Sequence, residues 1–190
     1  MAARRNADKH AQAQQIALNV SFLPNQIVGK IEADGEGFAV QVDGRQAFGQ
    51  VVARFATQIA LDRSRGSGIG VVTAKHSNHV GRLADYAQII KDAGLIGLVT
   101  VNDSGAGQAV VPWGGMDGRL STNPIAVGIP GGTGPGILFD FSTSAAAHGK
   151  VRQLLLRGEQ APEGWLIAAD GAPTGDPASL FGKPPGFLLP

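Results

Sequence analysis

The chain has 190 residues, with 16 basic and 15 acidic side chains, a formal charge of +1 and no cysteine. The lack of cysteine excludes disulfides, thiolate nucleophiles and cysteine-ligated zinc or iron–sulfur clusters. The balanced charge gives no bulk attraction to nucleic acid or anionic membranes. No apolar run approaches the roughly 18 residues of a membrane span, and the polar first residues do not resemble a signal peptide. We therefore expect a cytoplasmic protein with no nucleic-acid or membrane partner.

The composition changes along the first part of the chain. Residues 1–35 are predicted as a polar N-terminal segment, in which an Ala- and Gln-rich stretch at 3–18 is compatible with a solvated helix and a linker follows. Residues 36–190 have the apolar patterning of a folded domain. The predicted organisation is thus one polar segment and one main domain.

The main domain opens with a strand pattern and then a helix pattern. Alternating residues at 38–42 precede Asp43-Gly44, which predicts a strand that ends in a turn. Apolar residues recur at helical spacing over 49–64, so this segment is predicted to be an amphipathic helix. Gly66 is the expected left-handed residue at its C-terminus.

The following segments alternate between strand and helix patterns. The predicted strands are 69–73, 95–101, 125–129 and 137–141, and the predicted helices are 81–92 and 143–156. Residues 102–123 contain no predicted element and are rich in Gly, Asn and Asp, which is typical of a binding loop. The apolar Phe187–Leu189 has no polar tail behind it, so it predicts an element without a partner.

Two glycine-rich stretches do not predict a nucleotide fingerprint. Gly66–Gly70 follows a helix and precedes a strand, which is the reverse of the order that points a helix N-terminus at a pyrophosphate. Residues 131–136 lie between two predicted strands and are more simply a hairpin connection. The chain also has no P-loop motif.

A better phosphate candidate is Asp140-Phe141-Ser142-Thr143-Ser144, where a predicted strand leads into a predicted helix. Ser142 or Thr143 at the N-cap would leave free amides beside hydroxyl groups, and both can bind phosphate. An ordinary Ser/Thr helix cap is the competing interpretation of the same residues.

The segment His76-Ser77-Asn78-His79 follows a strand and precedes a helix, where sites form in α/β proteins. Histidine is suited to proton transfer near neutral pH, which makes these side chains catalytic candidates. A metal pair would need at least one further ligand, since zinc takes three or four, and we predict no metal. The alternative is a helix cap by Ser77 or Asn78 with bystander histidines.

Several segments, in order along the chain, match one known family. They are Val71–Gly81, Gly94–Asn102, Pro112–Gly115, Ser121–Ile125, Asp140–Ser144 with Gly149-Lys150, Pro162–Trp165 and Asp170–Pro177. From about residue 34 to residue 190, the chain resembles the malate/L-lactate dehydrogenase family of the non-Rossmann type, which includes ureidoglycolate and sulfolactate dehydrogenases and 2,3-diketo-L-gulonate reductase.

The resemblance implies an α/β (α+β) fold, with a non-Rossmann cofactor domain and a largely antiparallel or mixed sheet flanked by helices. It also implies an NAD- or NADP-dependent oxidoreductase that interconverts a small 2-hydroxy acid and its 2-oxo acid as a homodimer. His79 matches a proton acceptor of some members. The cofactor-contacting positions are Asp103, Asp140, Phe141, Ser142, Thr143 and Ser144, and Thr122 and Asn123 line the substrate site. Arg82 and Arg119 are the nearby candidates for the substrate carboxylate, because the guanidinium fork suits it.

The chain departs from the family at both flanks. Members begin with a helical region that carries a Ser-His-Gly motif and continue beyond the position of Pro190 with a cofactor-binding block, and this sequence has neither. A truncated, catalytically silent domain that dimerises or binds nucleotide is therefore the alternative to an active dehydrogenase.

Overall fold

The computed structural model of the chain describes residues 18–19, 30–35, 37–103 and 107–190. These residues form two compact units, one made of the chain up to Gly97 with Gly128–Gly136, and the other of Leu98–Val127 with Ile137–Pro190. The helix predicted at 3–18 lies outside the described residues, apart from Leu18, which belongs to a short strand.

The first unit contains a four-stranded mixed sheet. Its strands, in spatial order, are β1 (Leu18–Asn19), β2 (Lys30–Asp34), β3 (Ala39–Ala47) and β4 (Val71–Ser77). The first three strands pair antiparallel, whereas β3 and β4 run parallel and are joined through helix α1 (Gly49–Ser67). β2 occupies part of the stretch predicted as linker.

Helix α1 confirms the helix predicted from the apolar spacing, and it extends three residues beyond 64, to Ser67. Its Val52 and Ile59 are buried against Val40 and Val42 of β3. The predicted cap at Gly66 is wrong. The helix continues through that residue to Gly68, which adopts φ 78° and donates its N–H to Ser64 O at 2.8 Å.

The turn predicted at Asp43-Gly44 is also wrong, because β3 continues to Ala47. Between the pairs Asp43–Lys75 and Ala47–Ser77, β3 has three residues where β4 has one, so the strand bulges instead of reversing. Pairing with β4 accounts for the difference, since β4 begins at Val71 and reaches Ser77, beyond the predicted end at residue 73.

A second sheet has the order β5–β6–β7 and contributes residues to both units. Its strands are β5 (Gly97–Thr100), β6 (Ile125–Gly131) and β7 (Gly134–Phe141), and helix α2 (Ala84–Asp92) precedes them. The hairpin predicted between β6 and β7 is confirmed. Gly128 of β6 lies so close to α2 that an added Cβ would be 2.4 Å from Ala87 O. β5 is shorter than the strand predicted at 95–101, and its Leu98 side chain is 67% exposed.

The second unit has its own core around a small antiparallel sheet. The sheet comprises β8 (Leu166–Ile167), β9 (Pro173–Thr174) and β10 (Phe187–Leu188), and it is accompanied by helix α3 (His148–Arg157) and a 3₁₀ helix (Pro177–Phe181). Leu166, Leu188 and Val151 are fully buried together. The expectation that Phe187–Leu189 lacks a partner is therefore wrong, since β10 pairs with β8 and Leu188 fills the core.

The predicted fold class is confirmed, because helices lie beside sheets with both parallel and antiparallel pairs. Across 102–103 and 107–123, the described part of the predicted binding loop, the structure has turns and the isolated bridges of Val110 with Leu120 and with Leu188. Among the described helices, none has both the length and the hydrophobicity needed to cross a bilayer.

Candidate active site

His79 lies on the loop between β4 and α2, and its side chain is exposed. Its Nδ1 accepts a hydrogen bond from the N–H of Gly81 at 3.2 Å. A ring nitrogen that accepts a hydrogen bond carries no proton, so the neutral imidazole has its proton on Nε2. The loop therefore presents His79 as an Nε2–H group.

The backbone around His79 is held from two directions. The Asn78 side-chain amide donates to Gln46 O at 2.6 Å and to Ala47 O at 3.2 Å, which ties the loop to the end of β3. Gly49, the first residue of α1, is buried against the loop, and an added Cβ would lie 2.2 Å from Asn78 O and 2.3 Å from His79 O. Only glycine leaves room for this close packing.

Tyr86 of α2 fixes the other side of the loop. Its hydroxyl donates to Val80 O, one residue after His79, and the side chain is 5% exposed. Burial, with a smaller contribution from the nearby Asp85 carboxylate, raises the pKa of Tyr86 above its ordinary value. The phenol is therefore a stable donor at neutral pH.

The two arginines predicted to bind a carboxylate lie in different units. Arg82 belongs to the unit of His79, and its Nη1 is 3.5 Å from Asp85 Oδ1. Arg119 belongs to the other unit, and its Nη2 is 3.3 Å from Asp117 Oδ2. Both pairs are exposed, and exposed ion pairs of this kind stabilise by only about 0–1 kcal/mol. Neither pair fixes its guanidinium strongly.

The second unit contains a polar cluster centred on Ser121. Its hydroxyl donates to Asn123 Oδ1 at 2.8 Å and accepts from the N–H groups of Asp103 at 3.2 Å and Asn123 at 3.3 Å. Asn102 Oδ1 is 3.4 Å away. Ser121 was not among the predicted site residues, although the Ser-Thr-Asn-Pro block contains it.

Thr143 joins this cluster to the end of β7. Its N–H donates to Thr122 O at 3.0 Å, and its hydroxyl lies 3.2 Å from Asn123 O. The structure therefore brings together Asp103, Thr122, Asn123 and Thr143, four of the residues predicted to bind cofactor or substrate.

The predicted helix cap at Ser142 or Thr143 is wrong. α3 begins at His148, and the residues before it form turns in which Ser142 Oγ donates to Ser144 O at 2.9 Å. The Ser144 hydroxyl donates to Ala146 O at 2.8 Å. These hydroxyls satisfy nearby carbonyls instead of the amides of a helix, a known competition for Ser and Thr. Asp140 and Phe141 end β7 and are exposed.

The helix α3 begins without the hydroxyl cap that was predicted for it. Its N-cap is Ala147, whose methyl group cannot accept a hydrogen bond. The N–H of Lys150 donates to Ala147 O at 2.9 Å, whereas the N–H groups of His148 and Gly149 have no acceptor within the helix. Lys150 lies in this first turn and is exposed, with its Nζ 6.0 Å from the centre of the Trp165 ring. A Cβ on Gly149 would meet nothing within 4 Å in the described part of the chain. Free amides, an ammonium group and open space form a donor set suited to phosphate.

The two histidines of the His76–His79 segment have separate partners. His76 Nδ1 lies 3.1 Å from each carboxylate oxygen of Asp43, whereas His79 Nδ1 is bonded to Gly81. In the described ranges, no three His, Cys, Asp or Glu side chains form a group that could hold a metal ion.

Comparison with known proteins supports the resemblance found in the sequence. Residues 25–190 match the profile of the malate/L-lactate dehydrogenase family. The chain is 40% identical over 156 residues to the L-lactate dehydrogenase of Cupriavidus necator, covering 82% of this chain and 45% of that protein. It is 37% identical to the malate dehydrogenase of Pyrococcus abyssi, covering 85% of this chain and 42% of that protein.

Among solved structures, a similar one is Δ1-piperideine-2-carboxylate reductase from Pseudomonas syringae pvar. tomato. It superimposes with a TM-score of 0.76 at 32% identity, covering 85% of this chain and 48% of that one. The chain thus spans less than half the length of these relatives.

Proposed function

The chain belongs to the malate/L-lactate dehydrogenase family, and we propose from that premise that it interconverts a small 2-hydroxy acid and its 2-oxo acid with NAD or NADP. The observation that carries the proposal is the Nε2–H of His79, presented at a strand end by a loop held from β3, α1 and α2. The names of the relatives, a lactate and a malate dehydrogenase, point to the same substrate class.

His79 acts on the oxygen at C2 of the substrate. In the direction of reduction, its Nε2–H donates a hydrogen bond to that oxygen and stabilises the negative charge that develops there, while the proton that the oxygen takes up comes from water. In the direction of oxidation, the hydroxyl proton leaves to water and the same hydrogen bond stabilises the alkoxide. The Gly81 N–H keeps the ring in this form, because it donates to Nδ1 and so leaves the ring proton on Nε2. The nicotinamide, when bound, supplies or takes the hydride at C2.

The open start of α3 would hold the cofactor phosphates. The N–H groups of His148 and Gly149 and the ammonium of Lys150 supply donors and positive charge, and Ala147 leaves these two N–H groups uncapped. The predicted cofactor residues Asp103, Asp140–Ser144 remain part of the proposal as neighbours in the same unit. Thr122 and Asn123, bonded to Thr143, would line the substrate site.

Arg82 is the preferred partner of the substrate carboxylate. It follows His79 by three residues in the same unit, and its ion pair with Asp85 is exposed and long at 3.5 Å. A planar carboxylate can replace such a weak partner with two parallel hydrogen bonds. Arg119, in the other unit, is the second candidate.

The proposal includes a homodimer. Ile137, Phe139 and Phe141 alternate along β7 and so project from one face of the strand, with exposed fractions of 55%, 43% and 50%. Phe139 and Phe141 stack with ring centres 5.8 Å apart. A contiguous apolar face of this kind is typical of a surface that another protein covers.

The second candidate function is a catalytically silent domain that binds nucleotide or dimerises. It is favoured by one observation, that the chain covers only 45% of its lactate dehydrogenase relative. Binding without turnover is the property that distinguishes it from the first candidate.

The experiment is a titration of the protein with NADH and with NADPH, followed by nucleotide fluorescence, and then an assay of nucleotide oxidation with a panel of 2-oxo acids. We expect saturable binding and oxidation with at least one acid. Binding without oxidation by any acid would favour the silent domain. The absence of binding would contradict the dehydrogenase and would leave, of the second candidate, only a domain that dimerises.

A matched pair of variants locates the phosphate site. Lys150→Gln in the first turn of α3 should weaken nucleotide binding by about tenfold, the effect of losing a charge-assisted hydrogen bond of roughly 1.4 kcal/mol. Arg157→Gln, in the last turn of the same helix, should leave the dissociation constant unchanged. Equal dissociation constants for the two variants would remove the start of α3 from the proposed site.

A further inference from the structure

The bulge in β3 lies directly beside the histidine that the proposed reaction does not use. Gly44, Arg45 and Gln46 stand opposite His76 alone, between the pairs Asp43–Lys75 and Ala47–Ser77. Arg45, Gln46 and His76 have φ values of 45°, 61° and 51°. Left-handed backbone in residues other than glycine persists only where surrounding contacts hold it.

The contact across the bulge is made by His76 and Asp43. The His76 Nδ1–H donates to the carboxylate, at 3.1 Å from both Oδ1 and Oδ2. Asp43 Oδ1 also accepts the N–H of Arg45 at 3.0 Å, so one carboxylate holds both sides of the bulge. The Arg45 N–H bond, followed by the contacts from His76 and the charge of Lys75, keeps the pKa of Asp43 below its ordinary value despite some desolvation.

The bulge is connected through Asn78 to the loop that carries His79. Gln46 O, inside the bulge, accepts the shorter of the two hydrogen bonds from the Asn78 amide, at 2.6 Å. Asn78 immediately precedes His79, whose ring is in turn bonded to Gly81. A change in the backbone at Gln46 therefore reaches His79 through one side chain.

We propose that His76 and Asp43 are positioning residues for His79, because their hydrogen bond fixes the bulge that holds Asn78. The catalytic part of this inference rests on the proposed function, whereas the effect on the His79 ring does not. His76 and Asp43 do not touch the reacting atoms in this account. Their effect is to keep the His79 ring in the Nε2–H form at one place.

The test compares two substitutions that both tolerate the left-handed backbone of residue 76. His76→Gly removes the ring without backbone strain, and His76→Asn keeps an N–H donor near the position of Nδ1 and also accepts positive φ. Thr73→Ala, at an exposed position on β4, is the control. The readout is the ¹⁵N spectrum of the His79 ring, which distinguishes the two tautomers and is assigned with His79→Gln.

In the unaltered chain and in the Asn and Thr73 variants, we expect His79 in the Nε2–H form. In His76→Gly, we expect a mixture of tautomers and a roughly 10- to 100-fold loss of turnover from misplacement of the ring. An unchanged His79 spectrum in the Gly variant would overturn the proposal. A His79 spectrum of the Asn variant that differs from that of the unaltered chain would also overturn it.

A second variant covers the case in which His76→Gly does not fold. His76→Gln carries the same amide group as His76→Asn, but one methylene further from the backbone. The amide is then misplaced relative to Asp43, so this variant should also disturb the His79 tautomer. A His79 spectrum identical to that of the unaltered chain would contradict the proposal. If the spectrum changes as expected while the unaltered chain turns over no 2-oxo acid, the proposed function fails and the positioning role stands.

Discussion

The His79 loop and the Ser142–Ala147 turn were both singled out by sequence, and they are organised in opposite ways. The His79 loop is held by residues distant in the chain, among them Gln46 and Gly49. In the turn, the hydroxyls of Ser142 and Ser144 bond carbonyls of the turn itself, those of Ser144 and Ala146. Long-range contacts leave the His79 side chain available for chemistry, whereas local contacts occupy the hydroxyls of Ser142 and Ser144, which were expected to bind a ligand.

The turn is also supported by residues outside it. Its backbone depends on Thr143 N–H bonded to Thr122 O and on Ala145 N–H bonded to Leu189 O, at 3.0 and 2.9 Å. The turn thus depends on the C-terminal segment as the His79 loop depends on β3 and α1. Each region can be disturbed separately.

The largest expected change in the free energy of unfolding comes from the C-terminal segment that supports the turn. Leu188→Ala removes a fully buried side chain from the core of the second unit, and we expect the free energy of unfolding to fall by about 4 kcal/mol. Leu156→Ala is the control, because that leucine is 78% exposed on α3. Urea denaturation measures both, and similar values for the two variants would show that β10 does not support this unit.

The next effect is on the His79 loop. Gly49→Ala places a Cβ 2.2 Å from Asn78 O, so we expect a loss of about 3 kcal/mol from overpacking. Gly66→Ala, also in α1, meets nothing within 4 Å among the described residues, and it should stabilise by about 0.5–1 kcal/mol through helix propensity. If thermal unfolding shifts both variants in the same direction, the close packing of Gly49 on the loop is refuted.

The smallest effect is that of the Tyr86 hydroxyl. Tyr86→Phe removes its bond to Val80 O, and we expect a loss of about 1 kcal/mol at neutral pH. The raised pKa means that the folded state holds this proton more tightly, so stability falls as pH rises above about 10. The Phe variant should lack that part of the alkaline loss. Because the chain has one tyrosine, phenolate absorbance follows it alone, and an unshifted titration would contradict the burial argument.

Local patterns in the sequence predicted the elements that local forces determine. The spacing of Val51, Phe55 and Ile59 predicted α1, and the glycines at 131–136 predicted the hairpin between β6 and β7. The C-terminal cap of α1 was predicted at Gly66 and is observed at Gly68. Both glycines can adopt positive φ, and the hydrogen bond from Gly68 N–H to Ser64 O distinguishes them only in the structure.

The features that were not predicted depend on contacts between distant residues. Asp43 and His76 are 33 positions apart, and their contact holds the bulge of β3. In the sequence alone, the pair Asp43-Gly44 at this bulge has the pattern of a turn. The role of Ser121 depends on Asp103 N–H, 18 positions away. The block motifs still placed His79, Thr122, Asn123 and Thr143 in the candidate site, whereas the partners that hold them became visible only in the fold.

The most direct measurement is the turnover of His79→Ala beside that of the unaltered chain, with the reduced nucleotide and the 2-oxo acid that react best. Because His79 touches only the C2 oxygen in this account, we expect the rate to fall by about 10²- to 10³-fold while the fluorescence titration gives the same nucleotide dissociation constant. A variant that turns over as fast as the unaltered chain would show that His79 does not act on the C2 oxygen.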